Sequence, residues 1–378
     1  MTQTEPRSSV APRMQGYVSG FDTPAVLSVL VLAVAFFGLF GSNAMEIRVT
    51  TGLVYLVVVV GIYIFIGNSG VVSFGHISYM AVGAYAAALM TIPTIRKEAL
   101  LPDLPNVIQQ LELPVVAAAI IAGLLTAVFA FITGIPVMRL SGIAASIALF
   151  SLLLVVNTVI SQAESITRGR QTMLGIPLET SLRGTLVWAI VAIFAAFVFQ
   201  QTRSGLRLRA SREDEFGAKA AAISIPRARL AALVLSAFFV AVGGTLYGGL
   251  LGSLNPDAFY IQLTFTTIVM LVVGGMRSLS GAVVGTIVVF VVSELLRRAE
   301  QGFDVGPLTV PARPGVQLLG VSVLGLAILV FRPSGLTGGH EITLNRILSP
   351  VRRRRSGNGG EKQDPTVEAP VAEASKQP

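Results

Sequence analysis

The sequence predicts an all-α, polytopic membrane protein with about ten transmembrane helices. Hydrophobic residues make up 53% of the chain and charged residues only 13%, whereas soluble domains carry roughly 25% charge. The mean hydropathy is +0.74. The apolar residues gather in about ten runs of roughly twenty, the length that a helix rising about 1.5 Å per residue needs to cross a hydrocarbon core about 30 Å thick. At 378 residues the chain is long enough for two soluble domains, but this composition excludes a single soluble core.

In chain order, residues 1–23 are a polar N-terminal segment and residues 24–332 a membrane domain. The apolar runs cover 24–41, 48–67, 71–92, 114–138, 142–160, 183–200, 229–252, 258–276, 280–296 and 315–331. The first follows the polar segment without a small-x-small cleavage site, so it reads as a retained helix and not a signal peptide. The third contains Gly75, Gly83 and His76 and follows Gly67 and Gly70, a composition that suits a broken or re-entrant segment lining a cavity. Gly244 with Gly248, Gly248 with Gly252, and Gly281 with Gly285 have the small-xxx-small spacing of close helix packing. No internal repeat is evident.

Placing both termini in the cytoplasm puts most of the 28 basic residues inside, including Arg7, Arg13, Arg139, Arg277, the loop 201–229 and the tail. Arg168, Arg170, Arg297 and Arg298 run against that rule. The net charge of +8 therefore reflects orientation in a membrane, not nucleic-acid binding. Residues 333–378 read as a basic, disordered cytoplasmic tail, in which the run from Arg352 to Arg355 serves as a stop-transfer signal and a contact for anionic membrane lipid.

The chemistry is sparse. None of the lysines, Lys97, Lys219, Lys362 and Lys376, follows a glycine, so a phosphate-cradling Walker A loop is excluded. With 2 His and 0 Cys there are no parts for a multi-histidine metal site, a thiolate site or a conventional triad, and no cofactor motif is present. The apolar runs hold no central carboxylate of the kind proton- and sodium-coupled carriers use; Glu46 and Glu294 lie near span ends. Catalysis is disfavoured, and a carrier, a channel or a permease driven by another subunit remain.

Two constellations stand out. In the third span, Ser73, Phe74, His76 and Tyr79 bring a titratable ring and hydroxyls into an apolar segment, either as a satisfied packing histidine or as part of a pathway. Asn157 and Thr264 are weaker candidates of the same kind. In the loop 201–229, Ser211 followed by Asp214 resembles a capping box, and Glu213, Asp214 and Glu215 suit the positive end of a helix. This predicts a helix of about four turns starting near Ser211, with Phe216, Ala220 and Ile223 on one apolar stripe and Pro226 as its stop. Gly217 within such a helix suggests close approach by another backbone. The helix is either an interfacial linker or a docking element for a cytosolic partner.

Five groups of residues, in order, carry a resemblance: Ser73-Phe74-Gly75-His76 followed by Gly83-Ala84-Tyr85; Arg139-Leu140-Ser141-Gly142; Ser204-Gly205-Leu206-Arg207 leading to Arg212-Glu213-Asp214-Glu215; Gly274-Gly275 with Ser278-Leu279 and Gly281; and Arg332-Pro333-Ser334-Gly335-Leu336. Together they resemble the permease subunits of bacterial ABC importers for branched-chain amino acids, of the LivM type, related to urea and amide permeases. The resemblance implies an ABC importer permease architecture in the bacterial plasma membrane. It also implies partner ATP-binding subunits that hydrolyse ATP, a second permease subunit and an extracytoplasmic substrate-binding protein. By position, Arg212, Glu213, Asp214, Glu215 and Gly217 would then form the ATPase-coupling segment. Urea, amides, sugars or nucleosides are alternative solutes, and a stand-alone carrier or channel is the alternative from another class.

Overall fold

In the computed structural model, the described residues are 22–342, apart from 302, 306–307 and 311–313. Arg7, Arg13 and the arginines from Arg352 to Arg355 lie outside them. The chain is helical in every predicted run. Among the described residues, eight helices are long and apolar enough to cross a membrane: α1 (Asp22–Leu39), α2 (Asn43–Ser69), α6 (Val115–Val137), α7 (Ile143–Gln162), α9 (Leu182–Gln201), α12 (Ile225–Leu251), α13 (Ile261–Gly274) with the 3-10 turn Pro256–Phe259 before it, and α14 (Leu279–Glu300). The two remaining runs form the 16-residue helices α3 (His76–Thr91) and α15 (Val316–Phe331).

The third run is helical later than its apolar composition suggests. α2 ends at Ser69 with Gly70 in the left-handed region (φ 71°), and residues 71–75 are non-helical before α3 starts at His76. A helix of 16 residues is about 24 Å long, short of a hydrocarbon core. The irregular stretch before it is enclosed by protein: Val71, Ser73 and Gly75 are buried, and Ser69 and Ser73 hydroxyls accept from the Val71 and Gly75 amides at 3.2 and 3.4 Å. That is the condition under which non-helical backbone is tolerated at membrane depth. Beyond α3, the short helix α4 (Thr94–Leu100) turns away by 116°.

α12 is central and packs on α2, α3 and α6. Close backbone approach makes this possible. A Cβ on Gly244 would fall 2.2 Å from the Met80 carbonyl, and one on Gly83 would fall 2.5 Å from the Ala241 Cα. Ser236 donates to the Gly61 carbonyl at 2.7 Å and ties α12 to α2. Of the predicted glycine pairs, Gly281 and Gly285 bring α14 against α13, whereas Gly248 meets only Leu254 and Gly252 is the left-handed cap of α12. Buried threonines at 50, 91, 126, 245, 267 and 286 donate to the carbonyl four residues earlier, which satisfies their hydroxyls without water. The outer helices expose one apolar face, as with Leu124, Val128 and Phe131 on α6.

Four further short helices, α5 (Asn106–Gln109), α8 (Glu164–Thr167) and the pair α10 (Arg203–Glu213) and α11 (Glu215–Ala220), lie between these spans. Strand β1 (Met173–Leu174) pairs antiparallel with β2 (Ser253–Leu254), and β3 (Phe303–Val305) with β4 (Leu308–Val310). Residues 333–342, counted with the tail in the sequence reading, are packed against the turn between α13 and α14: the Leu336 amide donates to the Val273 carbonyl at 2.9 Å.

Candidate functional site

The loop 201–229 folds as two helices, not one. Thr202 caps α10 by accepting from the Gly205 amide at 3.1 Å. Gly205 is required there, because a Cβ would lie 2.1 Å from the Phe199 carbonyl at the end of α9. Leu208 and Ser211 turn inward and are buried, so α10 presents one face to the bundle. Ser211 is thus not an N-cap; its hydroxyl donates to the Leu208 carbonyl at 2.7 Å.

Charged side chains fasten α10. Arg209 donates to the Gln200 carbonyl at 2.8 Å, and the Gln200 amide reaches the Tyr63 hydroxyl on α2. The Arg212 guanidinium donates to the Gly67 carbonyl near the end of α2. Glu213 then pairs with Arg212 at 2.8 Å and with Arg277, in the turn between α13 and α14, at 3.0 Å. Hydrogen bonding and charge from Arg212, with charge from Arg277, hold the Glu213 carboxyl below the usual carboxylate range.

The break falls at Asp214, whose backbone is extended (φ −147°, ψ 108°). Its carboxylate caps α11, accepting from the Phe216 and Gly217 amides at 2.9 and 3.0 Å. Within the chain, a Cβ on Gly217 would lie 2.5 Å from the Asp214 Oδ2, the oxygen of this carboxylate that makes neither capping bond. Glu215 bonds Lys219 at 2.9 Å and approaches the buried Arg229 on α12 at 3.7 Å; these contacts, led by the Lys219 hydrogen bond, lower its pKa. Arg229 in turn donates to the Leu140 carbonyl in the turn between α6 and α7 at 3.3 Å. Phe216 is 84% exposed, with the Lys219 ammonium 5.8 Å from its ring centre. The predicted stripe does not form: α11 ends at Ala220, and Ala222 takes a positive φ of 57° before Ile223.

Arg212, Glu213, Asp214, Glu215 and Gly217 are therefore gathered in one hairpin that touches α2, α9, α12 and two inter-helix turns. Such an arrangement can carry a displacement into the membrane helices. It holds no reactive constellation, and among the described residues no group of His, Asp and Glu is arranged to hold a metal ion.

The other predicted residues are more scattered. Ser73 and Phe74 lie in the non-helical stretch and His76 opens α3; the His76 Nδ1 is 2.6 Å from the Ser73 hydroxyl, with Phe65 and Tyr79 rings beside it. Phe74 stands edge-on to Phe150 of α7 and Phe265 of α13 at 6.2 and 5.9 Å. Asn157 donates to the Pro256 carbonyl at 2.9 Å and joins α7 to the 3-10 turn, while Thr264 donates to the Tyr260 carbonyl at 3.0 Å. Their hydrogen bonds do not converge on one point.

Sequence reasoning missed Arg229, Arg277 and Glu341. The two arginines sit at span ends on the side of the acidic Glu213–Glu215 run, and that charge complementarity was the available signal. Glu341 had none. Its carboxylate accepts from the Leu279 and Ser280 amides at 2.7 and 3.0 Å and from the Ser280 hydroxyl at 2.7 Å, capping α14 from far along the chain. At the opposite end of the bundle, a cleft of about 780 Å³ is walled by Thr91, Arg96, Glu112, Pro177 and Glu179.

Comparison with known proteins follows the same outline. The chain is 23% identical over 345 residues to the high-affinity branched-chain amino acid transport system permease protein LivM of Salmonella typhimurium and to that of Escherichia coli, covering 82% of this chain and 74% of each relative. It is 28% identical over 178 residues to a probable branched-chain amino acid transport permease protein LivM of Methanocaldococcus jannaschii, 45% of this chain and 50% of the relative. No solved structure matches. The model of the family described as branched-chain amino acid transport system / permease component matches residues 44–309, which hold α2 through α14 and the α10–α11 hairpin, and the chain belongs to that family.

Proposed function

We propose that this chain is the translocation subunit of a bacterial ABC importer for branched-chain amino acids, set in the plasma membrane with both termini in the cytoplasm. ATP-binding subunits dock on the α10–α11 hairpin and hydrolyse ATP, so this chain is not itself an enzyme. A second permease subunit closes the path, and an extracytoplasmic binding protein delivers the solute near the cleft lined by Arg96, Glu112 and Glu179. Within the membrane, the Phe74, Phe150 and Phe265 cluster supplies an apolar wall suited to an aliphatic side chain, with Ser73 and His76 behind it.

The observation that carries the reading is the hairpin: it leaves an aromatic ring in water at its tip while its base grips the ends of several membrane helices. A linker would need neither. Reconstitution tests it. The purified chain alone should turn over no ATP; with its cognate ATP-binding subunits, activity should appear and rise with leucine-loaded binding protein. ATP turnover by the chain alone, with contaminants excluded by mass spectrometry, would overturn the reading.

Orientation has a separate test, since the chain has 0 Cys and therefore no labelling background. Ser204→Cys should react with an impermeant thiol reagent only from the cytoplasmic side and Glu164→Cys only from outside. Labelling of both from one side contradicts the span order.

A further inference from the structure

A cavity of about 340 Å³ opens between α1, α2 and α14, at the end of α2 away from Gly67 and the hairpin. Its walls are apolar, with Val31, Phe37, Leu53, Leu56, Phe290 and Val291 among them. Phe37 is 68% and Val291 50% exposed, so the cavity opens sideways where a bilayer would be. From Arg48 to Leu56 along α2 it runs about 12 Å into the membrane.

Its mouth is charged. Arg48, Arg297 and Arg298 all make their closest approach to the same oxygen, Oε1 of Glu294, at 3.0, 2.8 and 3.7 Å. Among the described residues, Glu294 is the one carboxylate paired with these three guanidinium groups, an excess of two positive charges in the cluster. Arg298 is the loosest of the three, 56% exposed. Arg48 lies near the start of α2, and Arg297 and Arg298 in the last turn of α14, which places the cluster at headgroup depth, where long side chains keep their charge wet.

We propose that this groove binds an anionic phospholipid, its phosphate on Arg48 and Arg298 and one acyl chain along Leu53, Leu56 and Phe290. Charge complementarity selects that occupant. A phospholipid carries an apolar chain and an anionic phosphate in the register the groove presents, and guanidinium groups match phosphate oxygens with paired hydrogen bonds. A transmembrane helix from a partner protein would fill the apolar part and leave the excess positive charge unanswered. This also accounts for the arginines at 297 and 298 that run against the inside-positive pattern: they serve a ligand at that depth instead of setting orientation. The inference is independent of which solute the chain carries.

The chain's single tryptophan makes a local test possible. Leu295, 60% exposed and lining the cavity, becomes the reporter as Leu295→Trp in a Trp188→Phe background. The protein is placed in nanodiscs containing acyl-brominated phosphatidylglycerol or acyl-brominated phosphatidylcholine at equal mole fraction. The anionic lipid should quench with an apparent affinity on the order of tenfold higher. The Arg48→Gln/Arg298→Gln double variant should bring that ratio close to one. Equal quenching by the two lipids, a ratio unmoved by the double variant, or no quenching by either because protein fills the groove would each overturn the proposal. Native mass spectrometry guards against misfolding of the reporter: the otherwise unaltered chain should retain phosphatidylglycerol over phosphatidylcholine, and Arg298→Gln alone should reduce that retention. Equal retention of both lipids by the unaltered chain would also refute it.

Discussion

α10 and α11 follow one another with only Asp214 between them, yet one belongs to the membrane domain and the other stands off it. α10 buries Leu208 and Ser211 and is bound through Arg209 and Arg212 to the ends of α9 and α2. α11 is six residues long, buries only Ala218, and is held by its own aspartate cap and by Glu215 reaching toward Arg229. A helix this short is not stable by itself. The contrast teaches that the hairpin has a fixed arm and a presented arm, with α11 tied to the bundle through α10 and Arg229. Mutations that act on one arm should be separable from mutations that act on the other.

The sharpest separation is expected from Gly217→Trp. A Cβ there would meet the Asp214 carboxylate that starts α11, and an indole, too large for that carboxylate to yield to by a small shift, should cost the presented arm its shape. Uptake by the assembled importer should be abolished and co-purification of the ATP-binding subunits weakened, while membrane insertion and thermal stability of the permease stay at wild type. Normal uptake at normal expression would return α11 to the status of a solvated linker.

Arg212→Ala should do the reverse. It strips the Gly67 carbonyl and Glu213 of their partner, and charge-assisted hydrogen bonds of this kind are worth about 1.5 to 3 kcal/mol. Thermal unfolding in detergent should shift downward, with uptake falling in proportion to the folded fraction plus a loss from the slackened arm. If stability is unchanged, α10 is not the anchor described.

The smallest effect is a pH dependence. Glu213 has its folded pKa lowered by Arg212 and Arg277, so its contribution is fully present above the ordinary glutamate value of 4.5 and is lost as pH falls through the lower folded value. The stability difference between wild type and Glu213→Gln should therefore be flat above pH 4.5 and shrink below it. A difference that instead opened as pH fell would mean that Glu213 is repelled and not paired.

Much of this was legible in the sequence. Apolar runs of bilayer length located every long helix, because hydrocarbon leaves the backbone no other way to satisfy itself. The acidic run at Glu213, Asp214 and Glu215 marked a helix start, and Asp214 is indeed a cap. The same signal misled one turn earlier: Ser211 looks like an N-cap, but burial commits its hydroxyl to the Leu208 carbonyl. Apolar content could not reveal that residues 71–75 are non-helical, since a buried irregular segment and a buried helix have the same composition; the glycines around His76 were the signal of a break. Gly217 was read as a place of close backbone approach, and within the chain what stands nearest its missing Cβ is the Asp214 carboxylate. Arg277 and Glu341 depend on tertiary placement that no local pattern encodes.

The Glu341 cap also sets an order of events in synthesis. The amides it receives, at Leu279 and Ser280, are made about sixty residues earlier, so α14 starts with only its local cap, the Ser278 hydroxyl that accepts from the Gly281 amide at 3.0 Å. Thr337 bonds Ser278 at 2.9 Å in the same seam, one residue from the Arg277 that grips Glu213. The seat of the hairpin is consequently among the last parts of the membrane domain to be finished. A nascent chain stalled before Glu341 would hold all its spans and still lack the contacts that secure the turn gripping the α10–α11 hairpin.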